Sequence, residues 1–529
     1  MASPAALADY SSRRGSLIAD DRSMRREFTH ANAQSDKEIK ADKIIRKIRA
    51  LEAETIWRED HPDVKHPFPG MEFLTGKSII MKTRIFEILS KMPKGALLHS
   101  HLDATVNAEY LLDLALKHPF MHIRLQQPLT AETLSSNIPV FRALPAAYFT
   151  NHTSLMSAEV GSWISLQNAR NSFPSDFGGV KGFDKWVIGS LTINPTEAYD
   201  THNTVEKIWQ KFTGIFLTSA GLIRVQPIWL EYIKQFFRSS VDDGVSYVEA
   251  RINFLPKFMV GSDGQENIPH REWLLLFEQA LKDVKEEFAQ QGRGHEFIGA
   301  KIIYSTIRAI TPEELDWYTE DCIALKKEFP HLIIGFDLVG PENAMKPLIY
   351  YIEPLLRFRT RVEEEGLDIP FIFHAGETLG DGTEADVNLY DAILLGTKRI
   401  GHGYSLFKHP KLVDICRRES IAVEVCPISN EILRLTSSML MHPLPALLNN
   451  GVPIALCSDD PAVFGNMGLT FDYYQVFVAS EINGLSTLAS LARDSIQFSM
   501  MDAQEKAQAT AVFEQRWAAF VDYVLTCEV

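Results

Sequence analysis

The sequence contains no apolar run long enough to cross a membrane, and it has only five cysteines among 529 residues. A membrane-spanning helix requires roughly 18 or more consecutive apolar residues. The cysteines have no paired spacing and occur at Cys322, Cys416, Cys426, Cys457 and Cys527. An odd number leaves one unpaired in any disulfide scheme. The sequence therefore argues against a membrane partner and a small disulfide-stapled module, and it predicts reduced thiols.

Basic residues are also in deficit, since 53 Lys and Arg stand against 68 Asp and Glu and give a formal net charge of −15. Binding of nucleic acid requires clustered Lys and Arg, so we expect no nucleic-acid partner and favour a small, neutral or weakly charged substrate. The first thirty residues lack the apolar segment of a secretory signal. We therefore expect a cytoplasmic protein, and the sequon at Asn151-His152-Thr153 leaves an extracellular location as the alternative.

The N-terminal part divides into a polar segment, residues 1–34, and a helical extension, residues 35–90. We expect poor order in the first, which is rich in Arg, Ser and Asp. In the second, Ser35 followed by Glu38 is typical of a helix-capping box. The apolar residues Ile39, Ile44, Ile45, Ile48 and Leu51 then form one helical stripe. This stripe indicates either a helix that packs on its own domain or an element that pairs two chains into a homodimer.

Residues 91–510 alternate short β-branched runs with helical segments. Parallel strands covered by helices on both sides have this pattern, and eight repeats predict an α/β fold of the (β/α)₈ TIM-barrel type. Residues 119–193 are expected to form an insertion after the first strand, and residues 511–529 a C-terminal helix. The eight runs are "GALLHSHLDA", "VSYVEARINF", "IGAKIIYST", "LIIGFDLVG", "PFIFHAGET", "KRIGHGYSL", "IAVEVCPIS" and "VPIALCSDDP".

Polar residues collect at the carboxyl ends of these strands, where barrels of this type keep their chemistry. His99 and His101 are two residues apart and so point to the same side of the first strand. With His374 from the fifth strand and Asp459 from the eighth, they offer three nitrogens and one oxygen, a set suited to one Zn²⁺ with a position open for water. Each fragment alone has an ordinary structural explanation, but their joint placement at one barrel mouth favours a metal site.

Several segments resemble the adenosine deaminase family of metallo-dependent hydrolases, in particular its growth-factor-related branch. The resemblance extends in order from about Met92 to Met500. It rests on "MPKGALLHSHLDA", "YVEAR", "KIIYS", "GFDLVGPE", "FHAGET", "RIGHGYSL", "EVCPISNEIL" and "SDDPAVFG".

The resemblance implies a role for each matching residue. His99, His101, His374 and Asp459 would bind one zinc ion per chain. Catalysis would involve Glu377, which would protonate purine N1, His402, which would orient or deprotonate the attacking water, and Asp459. Substrate contacts are implied for Asp103 near the ribose, Trp209 in the pocket wall, the Gly340 N–H at N3 and Asp460 at N7.

The implied reaction is zinc-dependent hydrolytic deamination of adenosine and 2′-deoxyadenosine, in which zinc-activated hydroxide attacks C6 and releases inosine and ammonia. One departure from the branch is Ile307, which stands where a histidine is common and bears on ribose recognition. Adenine nucleotides or N6-modified purine nucleosides remain alternative substrates, with Arg251 or Arg308 as candidate phosphate ligands. A catalytically weak signalling protein on the same fold is a further alternative.

Two other metal-enzyme classes fit the sequence less well. A binuclear amidohydrolase would need a bridging lysine at the end of the fourth strand, which reads "LIIGFDLVG". The small zinc deaminases carry a P-C-x-x-C motif, which "EVCPIS" does not match.

Overall fold

A computed structural model describes residues 3–29 and 34–528 of the chain. Its strands are β1 (Gly95–His101), β2 (Met121–Arg124), β3 (Val140–Ala143), β4 (Ile164–Ser165), β5 (Val245–Asn253), β6 (Phe258–Val260), β7 (Glu266–Pro269), β8 (Gly299–Ile307), β9 (Ile333–Val339), β10 (Phe373–Ala375), β11 (Arg399–His402), β12 (Ala422–Val425) and β13 (Ile454–Leu456).

Eight of these strands form a closed barrel. Strands β1, β5, β8 and β9 pair in that order, and β10, β11, β12 and β13 pair in that order, with every pair parallel. Parallel bridges Phe336–Phe371 and Ser100–Asp459 join the two sheets at both edges and complete the ring. The strands are almost wholly buried, as expected for a sheet covered by helices. The predicted (β/α)₈ barrel is confirmed, with all eight predicted runs as its strands.

The helices surround this barrel and extend it at both ends. They are α1 (Pro4–Arg22), α2 (Arg26–Thr29), α3 (Asp36–Glu54), α4 (Phe73–Ile80), α5 (Arg84–Ser90), α6 (Ala108–Leu116), α7 (Leu166–Asn171), α8 (Gly179–Leu191), α9 (Val205–Ile223), α10 (Gln226–Asp242), α11 (His270–Gln290), α12 (Pro312–Glu328), α13 (Ile352–Glu364), α14 (Glu384–Leu394), α15 (Pro410–Glu419), α16 (Pro427–Ile432), α17 (Leu444–Asn449), α18 (Pro461–Phe464), α19 (Thr470–Val478), α20 (Leu485–Gln497) and α21 (Ala503–Leu525). Among the described helices, none is both long and apolar enough to cross a bilayer.

The segment between β1 and β5 includes a small antiparallel sheet in the order β3-β2-β4. It lies within the expected insertion of residues 119–193, together with α7 and α8. Helix α9 follows and packs closely on β3, because Gly221 lacks a Cβ that would collide with the carbonyl oxygen of Phe141. The insertion thus supports α9, which forms one wall of the central cavity.

Helix α3 packs on its own chain. The predicted capping box is confirmed, since Glu38 N–H donates to the Ser35 hydroxyl and Ser35 N–H donates to the Glu38 carboxylate. Ile45 and Ile48 are buried against α20 and α21, whereas Ile39 and Leu51 are 41% and 49% exposed. The predicted stripe is therefore wrong at its ends, because the helix turns Arg49 inward instead.

Arg49 explains this rotation of α3. Its guanidinium is buried and donates to the Glu481 carboxylate and to four carbonyl oxygens, those of Phe477, Ser480, Glu481 and Asn483. A guanidinium has five N–H donors in a fixed fork, and these can satisfy several carbonyl oxygens that would otherwise lack a hydrogen bond. The buried face of α3 is thus partly polar, which apolar periodicity cannot predict.

Helix α1 forms where the sequence predicts poor order. Ser3 caps its first turn by accepting a hydrogen bond from the Ala6 N–H, and Pro4 occupies a first-turn position. The helix itself is exposed, but Arg25 just beyond it is buried and donates to Asn449 and Asn483. Residues 1–2 and 30–33 of the segment predicted to be poorly ordered lie outside the described residues.

The C-terminal helix begins earlier than expected. Helix α21 starts at Ala503, where Asp502 and Glu505 form a capping box, rather than at residue 511. The structure thus begins this helix at its cap, eight residues before the predicted boundary.

Candidate metal centre and substrate cavity

The closure of the barrel brings the proposed ligands together. His99 and His101 lie on β1, and Asp459 follows β13, its neighbour across the closing edge. The two segments exchange backbone hydrogen bonds, from His101 N–H to the Asp459 carbonyl at 3.1 Å and from Asp459 N–H to the His99 carbonyl at 3.2 Å. His374 lies on β10, on the far side of the ring. Residues distant in sequence therefore face one point at the barrel mouth.

Four side-chain atoms converge there. Oδ1 of Asp459 lies 3.3 Å from Nε2 of His99 and 3.4 Å from Nε2 of His101. Nε2 of His101 lies 3.3 Å from Nε2 of His374. These four residues offer ligand atoms that all lie within 4.8 Å of one another. Their spacing is compatible with the coordination of one ion.

The outward ring nitrogens of two histidines fix which atoms face the centre. Nδ1 of His99 lies 2.8 Å from Oε2 of Glu424, and Nδ1 of His374 lies 2.6 Å from Oδ2 of Asp337. A carboxylate only accepts, so each Nδ1 carries the proton and each Nε2 presents a lone pair. Carboxylates in this position orient histidine ligands and increase their basicity.

Two of the atoms that face the centre receive no hydrogen bond from the described residues. Within the described chain, Nε2 of His99 and Oδ1 of Asp459 are buried without a hydrogen-bond partner. Burial lowers the pKa of His101 to about 4 and that of His374 well below its usual range, so both rings are neutral, as metal ligation requires. Facing lone pairs of this kind repel unless a cation lies between them. The residues present therefore fit a bound metal ion.

A second cluster shares this centre and suits a metal less well. It combines His99 and Asp459 with His402 and Cys426. Burial raises the pKa of the Cys426 thiol well above its usual range. Because the thiolate is the form that binds metal, a protonated Cys426 favours the set that contains His101 and His374.

A buried ionic network lies beneath the ligands. Arg251 donates to Asp337 at 2.8 Å and to Glu424 at 2.7 Å, the two carboxylates that hold His374 and His99. Burial opposes the charge of Glu424, but Arg251 and Arg399 hold its pKa well below the usual range. The network therefore keeps Glu424 ionised and holds both carboxylates in place.

The two arginines considered as phosphate ligands are committed elsewhere. Arg251 belongs to the network just described, and Arg308 donates to the carbonyl oxygens of Leu338 and His374 and pairs with Glu342 at 3.4 Å. Both side chains are fully buried. The structure thus contradicts their availability for a phosphate, since moving either would leave buried carboxylates unpaired.

Two residues of the centre have a strained backbone. His402 has φ of 60° and Asp459 has φ of 59°, in the left-handed region that favours glycine. Such conformations persist where surrounding contacts impose them and occur often at functional sites. Gly401 precedes one of them, where a Cβ would lie 3.0 Å from the His99 ring. The strained end of β11 thus places His402 against the ligands.

Glu377 lies beside the centre without a hydrogen-bond partner for its Oε1 atom among the described residues. Burial, with Asp459 and Glu342 nearby, raises the pKa of its carboxyl well above the usual range. Burial, with Asp459 next to it, likewise raises the pKa of Asp460. Asp459 itself stays ionised, because although burial opposes its charge, His402 and His99 hold its pKa well below the usual range. The site thus combines one carboxylate with two carboxyl groups whose raised pKa values favour the protonated form.

One cavity of about 190 Å³ joins these groups to the surface. Helix α9 contributes an apolar wall that includes Trp209, whose ring lies 5.0 Å from that of Phe212 in an edge-to-face arrangement. Every proposed catalytic and substrate-binding residue lines this same cavity, namely Asp103, Trp209, Gly340, Glu377, His402, Asp459 and Asp460.

Gly340 forms a close-packed part of the cavity wall. It has φ of 113°, and a Cβ there would lie 2.6 Å from Sδ of Met345 and 3.3 Å from Cγ1 of Ile307. Only glycine tolerates both constraints. Ile307 and Met345 lie beside the Gly340 backbone and make this part of the cavity wall apolar.

Sequence reasoning missed several polar partners of the site. Asp103 pairs with Arg224, whose Nη2 donates to Oδ2 at 2.9 Å. The Ser429 hydroxyl donates to Oδ2 of Asp459 at 2.7 Å, and Asn430 contacts His402. Ser429 and Asn430 occur in the quoted run "EVCPISNEIL", so its polar residues were a signal. Arg224 lies between α9 and α10, and nothing in its local sequence marks it.

Comparison with known proteins gives a consistent picture. The Adenosine deaminase family model matches residues 190–513. Adenosine deaminase 2 of Homo sapiens is 33% identical over 465 residues, which cover 87% of this chain and 84% of that protein. Adenosine deaminase of Lutzomyia longipalpis is 32% identical, with 84% and 80% covered.

Solved structures match in fold. The crystal structure of an amidohydrolase from Burkholderia ambifaria with bound Zn aligns with a TM-score of 0.52 at 15% identity, over 84% of this chain and 95% of that one. At this identity the likeness concerns the fold alone.

Proposed function

We propose that the protein deaminates adenosine and 2′-deoxyadenosine. The premise is that the chain belongs to the adenosine deaminase family and is a hydrolase of the adenosine deaminase type. The balanced reaction adds water at C6 and yields inosine or 2′-deoxyinosine and ammonia. The observation that carries the proposal is the cavity in which the His/Asp cluster, Glu377 and Asp460 meet.

The proposed cofactor is one Zn²⁺ held by His99, His101, His374 and Asp459. Three neutral imidazoles and one carboxylate are a donor set that zinc commonly takes, with room for a further ligand. When bound, zinc lowers the pKa of water and so supplies a hydroxide nucleophile at neutral pH. The unpaired inward atoms of His99 and Asp459 support this assignment.

Glu377 is the proposed general acid. An aromatic C6 resists attack until N1 is protonated, because the ring must otherwise carry the incoming negative charge. The raised pKa of Glu377 supports this role, since it favours the protonated carboxyl, which is the form that can donate a proton. Asp460, also protonated, would donate to N7, and the Gly340 N–H would donate to N3.

The charges of the cavity favour a nucleoside over a nucleotide. A 5′-phosphate would need a free cation near the ribose, but Arg224 is already neutralised by Asp103 at 2.9 Å. Arg251, the other arginine in the cavity wall, is held by Asp337 and Glu424. We propose that Asp103 accepts hydrogen bonds from ribose hydroxyls, with Arg224 holding it in place, and that Trp209 packs against the substrate.

Turnover of five substrates on one metal-assayed sample tests the proposal. Adenosine and 2′-deoxyadenosine should be deaminated far faster than AMP, adenine or N6-methyladenosine, measured by chromatography of the 6-oxopurine products because N6-methyladenosine releases methylamine rather than ammonia. A preference for AMP would replace the nucleoside assignment with a nucleotide one. Metal-loaded protein that turns over none of the five would contradict the proposed function.

We also propose a homodimer and a cytoplasmic location. The sequence points to residues 35–90 as the dimerisation element, but α3 packs on its own chain. Exposed Leu7, Tyr10 and Leu17 lie on one side of α1, which supports pairing of two chains through α1 instead. All five cysteines are free and buried, which supports a reducing compartment.

A further inference from the structure

His402 has two ring nitrogens in different surroundings. Nε2 faces the centre and lies 3.8 Å from Oδ2 of Asp459. Nδ1 faces away from it and lies 3.2 Å from Nδ2 of Asn430. In a neutral imidazole one nitrogen donates and the other accepts, and the partner of each decides which is which. The state of His402 therefore depends on the orientation of the Asn430 amide.

A second histidine fixes that orientation. The Leu444 backbone N–H donates to Nδ1 of His442 at 3.0 Å, so Nδ1 must carry a lone pair. The ring proton of neutral His442 then lies on Nε2, which is 3.1 Å from Oδ1 of Asn430. Burial lowers the pKa of His442 to about 3, which keeps the ring neutral.

The reversed amide is excluded by the same contacts. If Asn430 presented its NH₂ to His442, that ring would receive hydrogen bonds at both nitrogens, from Asn430 and from Leu444. A neutral imidazole has one lone pair in the ring plane and cannot accept both. Asn430 therefore accepts from His442 and donates to His402, and the order of donors is set by one backbone N–H.

The surroundings preserve this order. His402, Asn430 and His442 are all at least 95% buried, so water cannot readily substitute for a member. The other ionisable group near Nδ1 is Glu377, whose Oε1 lies 3.5 Å away. At this distance Glu377 is a weaker partner for Nδ1 than the Asn430 amide at 3.2 Å.

We propose that Asn430 and His442 are positioning residues that hold His402 with its proton on Nε2, so that His402 donates a hydrogen bond to the reacting oxygen. This inference rests on the proposed deaminase function. It selects orientation of the water over its deprotonation, the two roles that the family resemblance leaves open for His402. The proton that leaves the water would then pass to the Asp459 carboxylate, whose Oδ2 lies 3.8 Å from Nε2 of His402.

Neutron diffraction of the deuterated, metal-loaded protein tests the proton position directly. We expect deuterium on Nε2 of His402 and of His442, and none on either Nδ1. Deuterium on Nδ1 of His402, or a reversed Asn430 amide, would overturn the proposal. This result does not depend on the substrate, so it separates failure of the inference from failure of the proposed function.

Kinetics of Asn430→Asp provide the second test. A carboxylate accepts from both neighbours, so His402 would move its proton to Nδ1 and lose the donor at Nε2. Loss of one such donor typically reduces kcat by 10²–10³-fold, and we expect about 10²-fold with KM within about threefold and metal content unchanged. Wild-type kcat in Asn430→Asp would contradict the proposal.

His442 offers a conservative pair. In His442→Gln an amide NH₂ can still donate to Asn430, so we expect kcat within about fivefold of wild type, whereas His442→Leu should lose at least tenfold more. Equal losses in the two variants would point to packing alone and would overturn the proposed positioning of His402 through Asn430 and His442. His270→Gln is the matched control, because His270 is equally buried and doubly hydrogen-bonded but does not line the cavity.

Discussion

The backbone N–H of Glu377 donates to Oε1 of Glu342 at 2.9 Å, and the adjacent Gly376 N–H donates to Oε2 of the same residue at 3.2 Å. Glu342 thus holds the turn that presents Glu377 to the cavity. Its charge also contributes, after burial and Asp459, to the raised pKa of Glu377. One carboxylate therefore both positions the proposed acid and helps to raise its pKa.

Glu377→Gln should keep the metal and the fold but lose turnover. Glutamine preserves the size of the side chain and cannot transfer a proton to N1, so we expect kcat to fall by at least 10²-fold, within the usual range for general acids. The measurement is adenosine turnover with metal analysis of the same sample. Loss of metal would make Glu377 a ligand, and near wild-type turnover would remove it from the mechanism.

Glu342→Gln should shift the alkaline limb of the pH–rate profile. Glu377 acts only when protonated, so activity falls as pH rises through its raised pKa. Removal of the Glu342 charge lowers that pKa, and the alkaline limb of kcat should move to lower pH. An alkaline limb that stays in place, with metal retained, would dissociate Glu342 from the acid.

Asp337→Asn should weaken metal binding. Nδ1 of His374 would lose its carboxylate acceptor at 2.6 Å, and such partners are typically worth 10–100-fold in metal affinity. Competition with a chelator of known zinc affinity measures the change. The wild type should bind one equivalent, and His99→Ala should bind none. A finding of two equivalents in the wild type would contradict the single site.

Glu431→Gln should stabilise the protein at alkaline pH. Glu431 is buried, accepts hydrogen bonds from the Tyr199 hydroxyl and the Phe73 N–H, and has its pKa raised by burial to about 8. The folded state holds the proton up to about pH 8, whereas the unfolded carboxyl releases it near 4.5. Stability therefore falls as pH rises between these values.

The expected gain for Glu431→Gln is on the order of 2–4 kcal/mol at pH 9 and near zero at pH 4. Urea unfolding at the two pH values measures it. An equal effect at both would assign the change to packing rather than to the proton.

Removal of residues 1–22 should separate the proposed dimer. The deletion takes away Leu7, Tyr10 and Leu17 but leaves Arg25 and its contacts with Asn449 and Asn483. Analytical ultracentrifugation should give a dimer for the full chain and a monomer for the truncated one. A full chain that sediments as a monomer would refute the dimer.

The barrel and the proposed metal ligands were predictable because both depend on local signals. Each barrel strand is a short apolar run, and His99, His101, His374 and Asp459 stand at or just after strand ends. The chain of hydrogen bonds from His442 through Asn430 to His402 was not predictable, since His442 lies in a loop 40 residues from His402. The rotation of α3 that turns Arg49 inward was not predictable either, because the carbonyl oxygens to which Arg49 donates belong to a segment more than 400 residues away.

The bridge between Ser100 and Asp459 has a consequence for how the chain is made. The ribosome delivers His99 and His101 early, yet the strand they must pair with emerges some 350 residues later. Until then β1 presents an unpaired edge that can join wrong partners or aggregate. Metal cannot be captured in its final geometry before the eighth barrel strand has left the exit tunnel. Assembly of the catalytic centre is thus tied to near-completion of synthesis, and prematurely ended chains would be inactive whatever their length up to that strand.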